Sequence, residues 1–530
     1  MPVNYLQASQ ALATRTQQPS AWSRLANGFA SILARFSSAP KQEKRRGFRQ
    51  RNFDAAESTR STDGWATNGA SANAENWSAI KPVRERARDL KRNNSFVANG
   101  CRHVANIMIG DGIVPNCKAA DPKMAVKANA LWQKHTPFLD TANAMGIAAL
   151  QRTAFDSMFC DGEILLRRRW RRMSDGLPVP MQVELLEADY LPEWKNENLE
   201  NGGRIIQGIE FDRRGVRVAY HLYRQHPGDG FGPLGTEFSI ERIPASEIAH
   251  GFFRDRPGQS RGVCQFASAV IPARNYDDCT FAWRQSARAA ACVVGVVSTD
   301  QPANELLGTP DNESADSVGF FAQDGVTPLQ RMTPASYVVA RGGTQVSFNN
   351  PQAPQGVDAY MRSELHGIAA GMWNLPYALL SNDLSQTTYA TWRADFAQII
   401  ETCENYRELF YIPTICGPVW QWFLEAAIAS GELSGVPADY PVEWSTPKPF
   451  GFDRVEEATG SVKLIRAGLS SRQREIRRMG EDPEMILSEI AADKAAALKA
   501  DLVFDSDANA TNLAGAPRIM EKAVVPAPPA

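Results

Sequence analysis

Residues 381–396 read SNDLSQTTYATWRADF, a polar, breaker-rich loop that leads directly into a long amphipathic pattern. From Tyr389 the large side chains recur at Trp392, Phe396, Ile399, Cys403, Tyr406 and Phe410. Steps of three and four set them on one face of a helix, and such a face is expected to be buried. The pattern resumes past Pro413 with Ile415, Val419, Trp420, Phe423 and Ala427. One helix of unusual length is therefore predicted, bent where proline removes a backbone donor. Another apolar helix, over residues 359–373, and the segment NLPYALL precede the loop. Long helices joined by a short polar loop suit a scaffold better than a catalyst.

Working outward, 530 residues exceed what one hydrophobic core usually supports, so two or more structural units are expected. A hydrophobic content of 43% is ordinary for a folded chain. Formal net charge is −2 and the pI is near 6.4. That balance argues against a protein that holds nucleic acid tightly by neutralising phosphates, while leaving room for brief contact with DNA. The eight cysteines are scattered without a CxxC pair and read as reduced, mostly buried thiols. The most apolar run, residues 289–297, is about half the length needed to span a bilayer, so a soluble intracellular protein with no membrane partner is expected. Residues 1–75 carry a basic cluster, KQEKRRGFRQR at 41–51, and no acidic residue before position 43. They read as a flexible basic arm, and residues 501–530, closing on AVVPAPPA, as a disordered tail.

Between these ends the periodicity predicts two helices and a turn over residues 77–109, a helix over 123–135, and a helix that gives way to a strand at Gly162. Residues 179–250 alternate strand-like runs (MQVELLEADYL, RIIQGIEFD, VRVAYHLYR, IERIPASEIAH) with glycine and proline turns, which predicts an antiparallel-rich α+β unit. A strong helical pattern over 265–291 contains Arg274, Arg284 and Arg288 and turns into strand-like CVVGVVST. Short strand candidates (VTPLQ, ASYVVA, TQVSF) follow, and the chain closes on a charged helical block in which Ser470 or Ser471 is a suitable cap.

Motifs that carry chemistry take their meaning from their surroundings. Ser260 in GQSRG matches the GxSxG nucleophile elbow, and His366 is the one histidine downstream of it. Arg254 to Pro257, however, separate Gly258 from the preceding strand, whereas a true elbow comes straight off its strand. GFGPLG (230–235) satisfies GxGxxG but leads into a strand-like run rather than a helix, so it reads as a glycine loop. No glycine is followed by lysine, which excludes a GxxxxGK[ST] phosphate loop, and no His or Cys cluster has metal-ligand spacing. Neither cofactor nor metal is expected. RRRWRR, from Arg167 to Arg172, suits either phosphate contact or a solvated strand edge.

Taken in order, these pieces resemble the lambda-type portal proteins of tailed bacteriophages over roughly residues 77–500. The resemblance rests on RARDLKRNNSFVANG with IGDGIVP, LLEADYL, GIEFDRRGVRVAYHLY, IPASEIAHGFFRDRPGQSRGV, WNLPYALLSNDLSQTTYATWRADF and GLSSRQREIRRMGEDPEMI. One departure stands out. Where related chains often have Asn-Tyr-Ser-Ser, this one has Thr388, Tyr389, Ala390 and Thr391, which leaves the helix cap open.

The resemblance implies an α+β portal fold. A wing would span 76–264, a first stem helix 265–291, a small β-containing clip 292–352, a second stem helix 353–380, a tunnel loop 381–388, a long kinked helix with wing return 389–450, and a helical crown 451–500. It implies a ring of twelve copies at one capsid vertex of the virion, assembled in the host cytoplasm, through which double-stranded DNA is packaged and ejected. Asn382, Asp383, Leu384, Ser385, Gln386 and Thr387 would line the channel, with Arg274, Arg284 and Arg288 as stem-helix candidates. Implied partners are the terminase large subunit, which supplies the ATPase, a major capsid or scaffold protein, and a head-tail connector. The competing readings are a serine hydrolase using Ser260 and His366, and a DNA-binding module using Arg167 to Arg172 with the basic arm.

Overall fold

Helix α1 (Ala72–Asn93) starts where the Ser71 side chain accepts a hydrogen bond from the Ala74 amide at 3.3 Å, satisfying an otherwise open donor of the first turn. At its other end the Asn94 side chain accepts from the Val97 amide at 2.8 Å and so caps α2 (Ser95–Met108). A single asparagine thus makes the turn between two helices. A computed structural model of the chain describes residues 63–64, 69–229, 239–299, 336–341, 357–447, 454–479, 481 and 483–502. The chain divides into units 1–69 and 70–530, and every element named here lies in the second.

Helix α2 buries Val97, Cys101, Val104, Ala105 and Met108, one stripe at helical spacing. After β1 (Val114–Cys117) come α3 (Pro122–His135), capped by Asp121, and α4 (Ile147–Cys160). Gly162 then adopts a left-handed φ of 95° with the Val263 backbone pressed where a Cβ would stand, so only glycine fits at the passage into β2 (Glu163–Trp170).

Strand β2 lies between β3 (Met181–Glu187) and, farther along the chain, β9 (Ile248–Phe252), antiparallel to both. Between these two comes a five-stranded antiparallel meander: β4 (Glu197–Asn198), β5 (Arg204–Ile206), β6 (Ile209–Phe211), β7 (Arg217–Tyr223) and β8 (Ile240–Pro244). The run RIIQGIEFD, read from sequence as one strand-like stretch, is a hairpin. Gln207 and Gly208 both take positive φ (50° and 84°), the requirement of a two-residue turn whose twist matches the strands. Leu165, Leu186, Ile209, Tyr220, Leu222, Ile243 and Ile248 form a second, smaller core that joins the two sheets.

Helix α5 (Ala267–Cys292) continues into β10 (Val293–Thr299), which pairs in parallel with β11 (Ser336–Arg341). The strand candidates VTPLQ and TQVSF and the loop GFGPLG lie outside the described residues, as do the basic cluster at 41–51 and nearly all of the tail. Helix α6 (Val357–Gly371) ends two residues earlier than the periodicity suggested, because Trp373 and Asn374 take left-handed φ values of 59° and 57°. A bulky residue rarely adopts that conformation. Trp373 is held there by its ring, stacked on Tyr406 at 4.3 Å and edge-on to Phe159 and Phe253 at 5.0 Å each.

After α7 (Tyr377–Ser381) and the polar loop, α8 (Tyr389–Tyr406) passes without interruption into a π-helical stretch (Arg407–Cys416) and then α9 (Gly417–Ala429). Pro413 sits inside the π stretch, where the wider turn accommodates the donor it lacks. The expected buried stripe is covered only from Ile399 onward. Ile399 and Cys403 are buried, whereas Trp392 and Phe396 are half-buried and Tyr389 is exposed, because the first turns of α8 extend past the main core. Strand β12 (Val442–Ser445) returns to pair with β1, and three helices follow: α10 (Arg454–Arg466), α11 (Arg472–Arg478) and α12 (Pro483–Lys499). Of the two candidate serines it is Ser471 that caps α11, accepting from the Arg474 amide, while Ser470 donates to Glu475 at 2.6 Å.

Candidate functional site

The loop between α7 and α8 is exposed yet firmly seated. Asn382 ends α7 in the left-handed conformation, and the Asp383 carboxylate accepts from the Ser385 amide at 2.9 Å and from the Tyr377 hydroxyl at 3.3 Å, with Arg362 3.6 Å away. Those contacts, the Ser385 hydrogen bonds first, hold the Asp383 carboxyl below its ordinary range. The Thr387 amide closes a turn on the Leu384 carbonyl at 3.0 Å, leaving the Leu384 side chain 60% exposed at the tip. From behind, the Asn99 amide donates to the Leu379 and Leu380 carbonyls at 2.7 and 3.1 Å, tying α7 to α2. Thr388 then caps α8 in a reciprocal box with Thr391, which settles the cap that the departure from related chains had left open. From Asn382 to Thr387 the loop offers amides, hydroxyls and one carboxylate, and no cation.

Arg274, Arg284 and Arg288 are all exposed on α5. Steps of ten and four residues place them within about 80° of arc on the helix. Arg274 also lies 3.1 Å from Asp278.

The structure does not bring Ser260 and His366 into a nucleophile–base pair. The Ser260 hydroxyl donates to the Asn73 side chain at 2.7 Å, the same oxygen accepts from the Ser260 amide at 2.9 Å, and Ser260 is buried. The His366 ring stacks on Tyr377 instead, with centroids 4.3 Å apart. The hydrolase reading is therefore corrected: GQSRG is a structural turn. Its centre is Arg261, a residue the sequence reading passed over. Arg261 is fully buried, with Nε 2.7 Å from Glu163 and the remaining nitrogens donating to the carbonyls of Ala188, Leu191 and Gln207. Glu163 also faces His250 at 3.0 Å. Burial alone would raise the Glu163 carboxyl, but Arg261 and His250 outweigh it and hold the group well below the carboxylate range, while burial pushes His250 down to about 4. The signal for this role was present in the sequence as an arginine and a glutamate at strand and turn positions, but their 98-residue separation hid the pairing.

The solvated-edge reading of Arg167 to Arg172 holds only in part: β2 is the central strand of its sheet, but β9 pairs with it no farther than Arg167, and Trp170 and Arg172 are exposed. Arg167 faces Glu241 at 3.3 Å, Arg169 meets Glu184 at 2.7 Å, Arg168 is buried against Glu425, and Arg171 donates to Gln182 at 2.7 Å. These cations are committed to intramolecular partners, and Arg168 also lies over the Trp170 ring. The fold does gather Glu187, Asp189 and His226, which sequence spacing did not suggest. Arg88 stands 2.9 and 2.8 Å from the two carboxylates and supplies the positive charge there.

Comparison with known proteins places this chain in a family. The family model described as phage portal protein, lambda family, matches residues 58–407. The chain is 24% identical to a probable portal protein of Halomonas phage phiHAP-1, over 84% of this chain and 86% of that one. It is 20% identical to portal protein B of Escherichia phage lambda, over 76% and 81%. Among solved structures it is similar to a chain in the neck of a native GTA particle computed with C12 symmetry, at 14% identity and TM-score 0.38, covering 75% of this chain and 94% of that one.

Proposed function

The chain belongs to the lambda family of phage portal proteins, and from that membership we propose that its copies close into a ring of twelve at one capsid vertex, through which double-stranded DNA is packaged and ejected. The observation that carries this reading is the match of the family model over most of the chain. In the ring, residues 76–264 and 389–450 form the wing, 265–291 and 353–380 the stem helices, 292–352 the clip and 451–500 the crown. The residues lining the narrowest passage are Asn382, Asp383, Leu384, Ser385, Gln386 and Thr387, with Arg274, Arg284 and Arg288 along the stem.

The physical chemistry of the loop supports this. The narrowest part of a channel through which DNA must move should not grip phosphates, since each neutralised phosphate releases counterions and adds binding that motion must break. The loop carries no cation, and its exposed tip sits on a seat tied to α2 and α6. A ring closed by rotation uses a head-to-tail interface in which one face of each copy meets a different face of the next. With no phosphate-cradling loop in the sequence, the driving energy would come from the terminase large subunit docked on the clip. A major capsid or scaffold protein and a head-tail connector would meet the outer surfaces, first in the host cytoplasm and then in the virion. Among the described residues no helix is long and apolar enough to cross a membrane.

Deletion of residues 382–387 tests the channel assignment. The expected result is an intact ring with impaired DNA packaging or retention; loss of ring assembly would show that the loop is architectural.

A further inference from the structure

Away from the loop, a groove of about 690 Å³ opens between the start of α1 and the meander. Its lining includes Trp77, Trp194, Tyr223, Pro192 and Pro227. The two indoles are more than half exposed, at 56% and 62%, and the Trp194 Nε1 donates to the Tyr223 hydroxyl at 2.8 Å. Rigid aromatic side chains held open to solvent around one cavity are a poor arrangement for an isolated surface and a good one for a ligand with flat apolar faces. Beneath them Arg84 also lines the groove and is only 2% exposed. Its Nη2 meets Asp189 and Glu193 at 3.1 and 2.7 Å, whereas its Nε and Nη1 have no hydrogen-bond partner.

Exposed aromatic ridges are what an extended proline-rich segment needs. Its rings pack between the aromatics, and its carbonyls, which have no internal partners in that conformation, accept hydrogen bonds from the groove. The chain itself contains such a segment. Residues 523–530 read AVVPAPPA. They lie up to 28 residues beyond Leu502, a stretch that spans roughly 85 Å when extended. We propose that the Trp77–Trp194 groove is the docking site for residues 523–530 of this chain. The inference stands on the groove and the segment alone and does not depend on the ring or the DNA channel.

Photo-crosslinking in the full chain tests it. With p-benzoylphenylalanine in place of Val525, irradiation should yield adducts on peptides that contain Trp77, Trp194 or Tyr223. Those adducts should disappear in Trp194→Ala and when Pro526, Pro528 and Pro529 are all replaced by alanine. Adducts elsewhere, no adduct, or adducts undiminished by Trp194→Ala would overturn the assignment. As a second measurement, a labelled peptide of residues 519–530 is titrated onto the full chain carrying the three proline replacements. Its affinity should fall roughly tenfold on adding Trp194→Ala, as expected for loss of a central aromatic anchor. An unchanged affinity would mean that the groove takes some other partner.

Discussion

Arg407 donates from Nε to the Met108 carbonyl at 2.8 Å and from Nη2 to the Ile107 carbonyl at 2.6 Å, so the middle of the long helix closes the last turn of α2. The guanidinium is buried at the start of the π-helical stretch, and burial pushes it below its ordinary value. The carbonyl end of a helix favours a cation and offsets part of that cost. Arg407→Met should leave both carbonyls buried without a donor and cost on the order of 2–4 kcal/mol. Arg407→Lys, a single point donor, should fall between the two. Calorimetric unfolding of the three proteins would show this order; equal stability would mean that water satisfies the carbonyls.

Ser260→Ala should cost only about 1 kcal/mol, the net value of one hydrogen bond to Asn73. Asn73→Ala should cost more, because Asn73 also accepts from the Ser260 amide and donates to the Gly258 carbonyl at 3.0 Å. Urea unfolding measures both, and a probe for activated serines should leave the wild-type chain unlabelled.

Acidification should destabilise the fold before the carboxylates titrate. Burial pushes His135 down to about 4, below the ordinary 6.5. Between those values the unfolded chain takes up a proton that the folded chain refuses, so stability is present above pH 6.5 and is lost as pH falls toward 4. His250 shifts in the same direction. The His135 ring stacks on Phe423, so His135→Phe is a shape-conserving replacement. It should flatten the decline between pH 6.5 and 4, followed by thermal unfolding across that range; an unchanged slope would assign the decline to other groups.

Thr388→Ala removes the side chain that starts α8 and should cost about 1 kcal/mol, with Thr388→Ser recovering most of it. Hydrogen exchange at residues 389–393 reads the fraying directly. Uniform protection in all three proteins would mean that tertiary contacts, not the cap, hold the helix start.

What the sequence made legible was periodic. The stripe through Ile399 and Cys403, the helix-to-strand change at Gly162 and a serine cap at Ser470 or Ser471 are local patterns written in neighbouring residues. What it concealed was pairing across long separations. Glu163 with Arg261, Arg168 with Glu425 and Arg407 with Met108 are set by which elements the fold brings together, and no local spacing encodes them. The same limit hid the partners of RRRWRR, since a cationic strand looks alike whether it faces solvent or neighbours that carry its acids. Trp373 was read as the end of a helix because its left-handed backbone is imposed by stacking on a residue 33 positions away.

Electron microscopy of the purified full-length protein tests most directly whether this chain works as a closed ring. Annular particles with an open centre and a mass of about 700 kDa, twelve copies of 58.3 kDa, are the expected result. Only monomers, under every assembly condition tried, would contradict it.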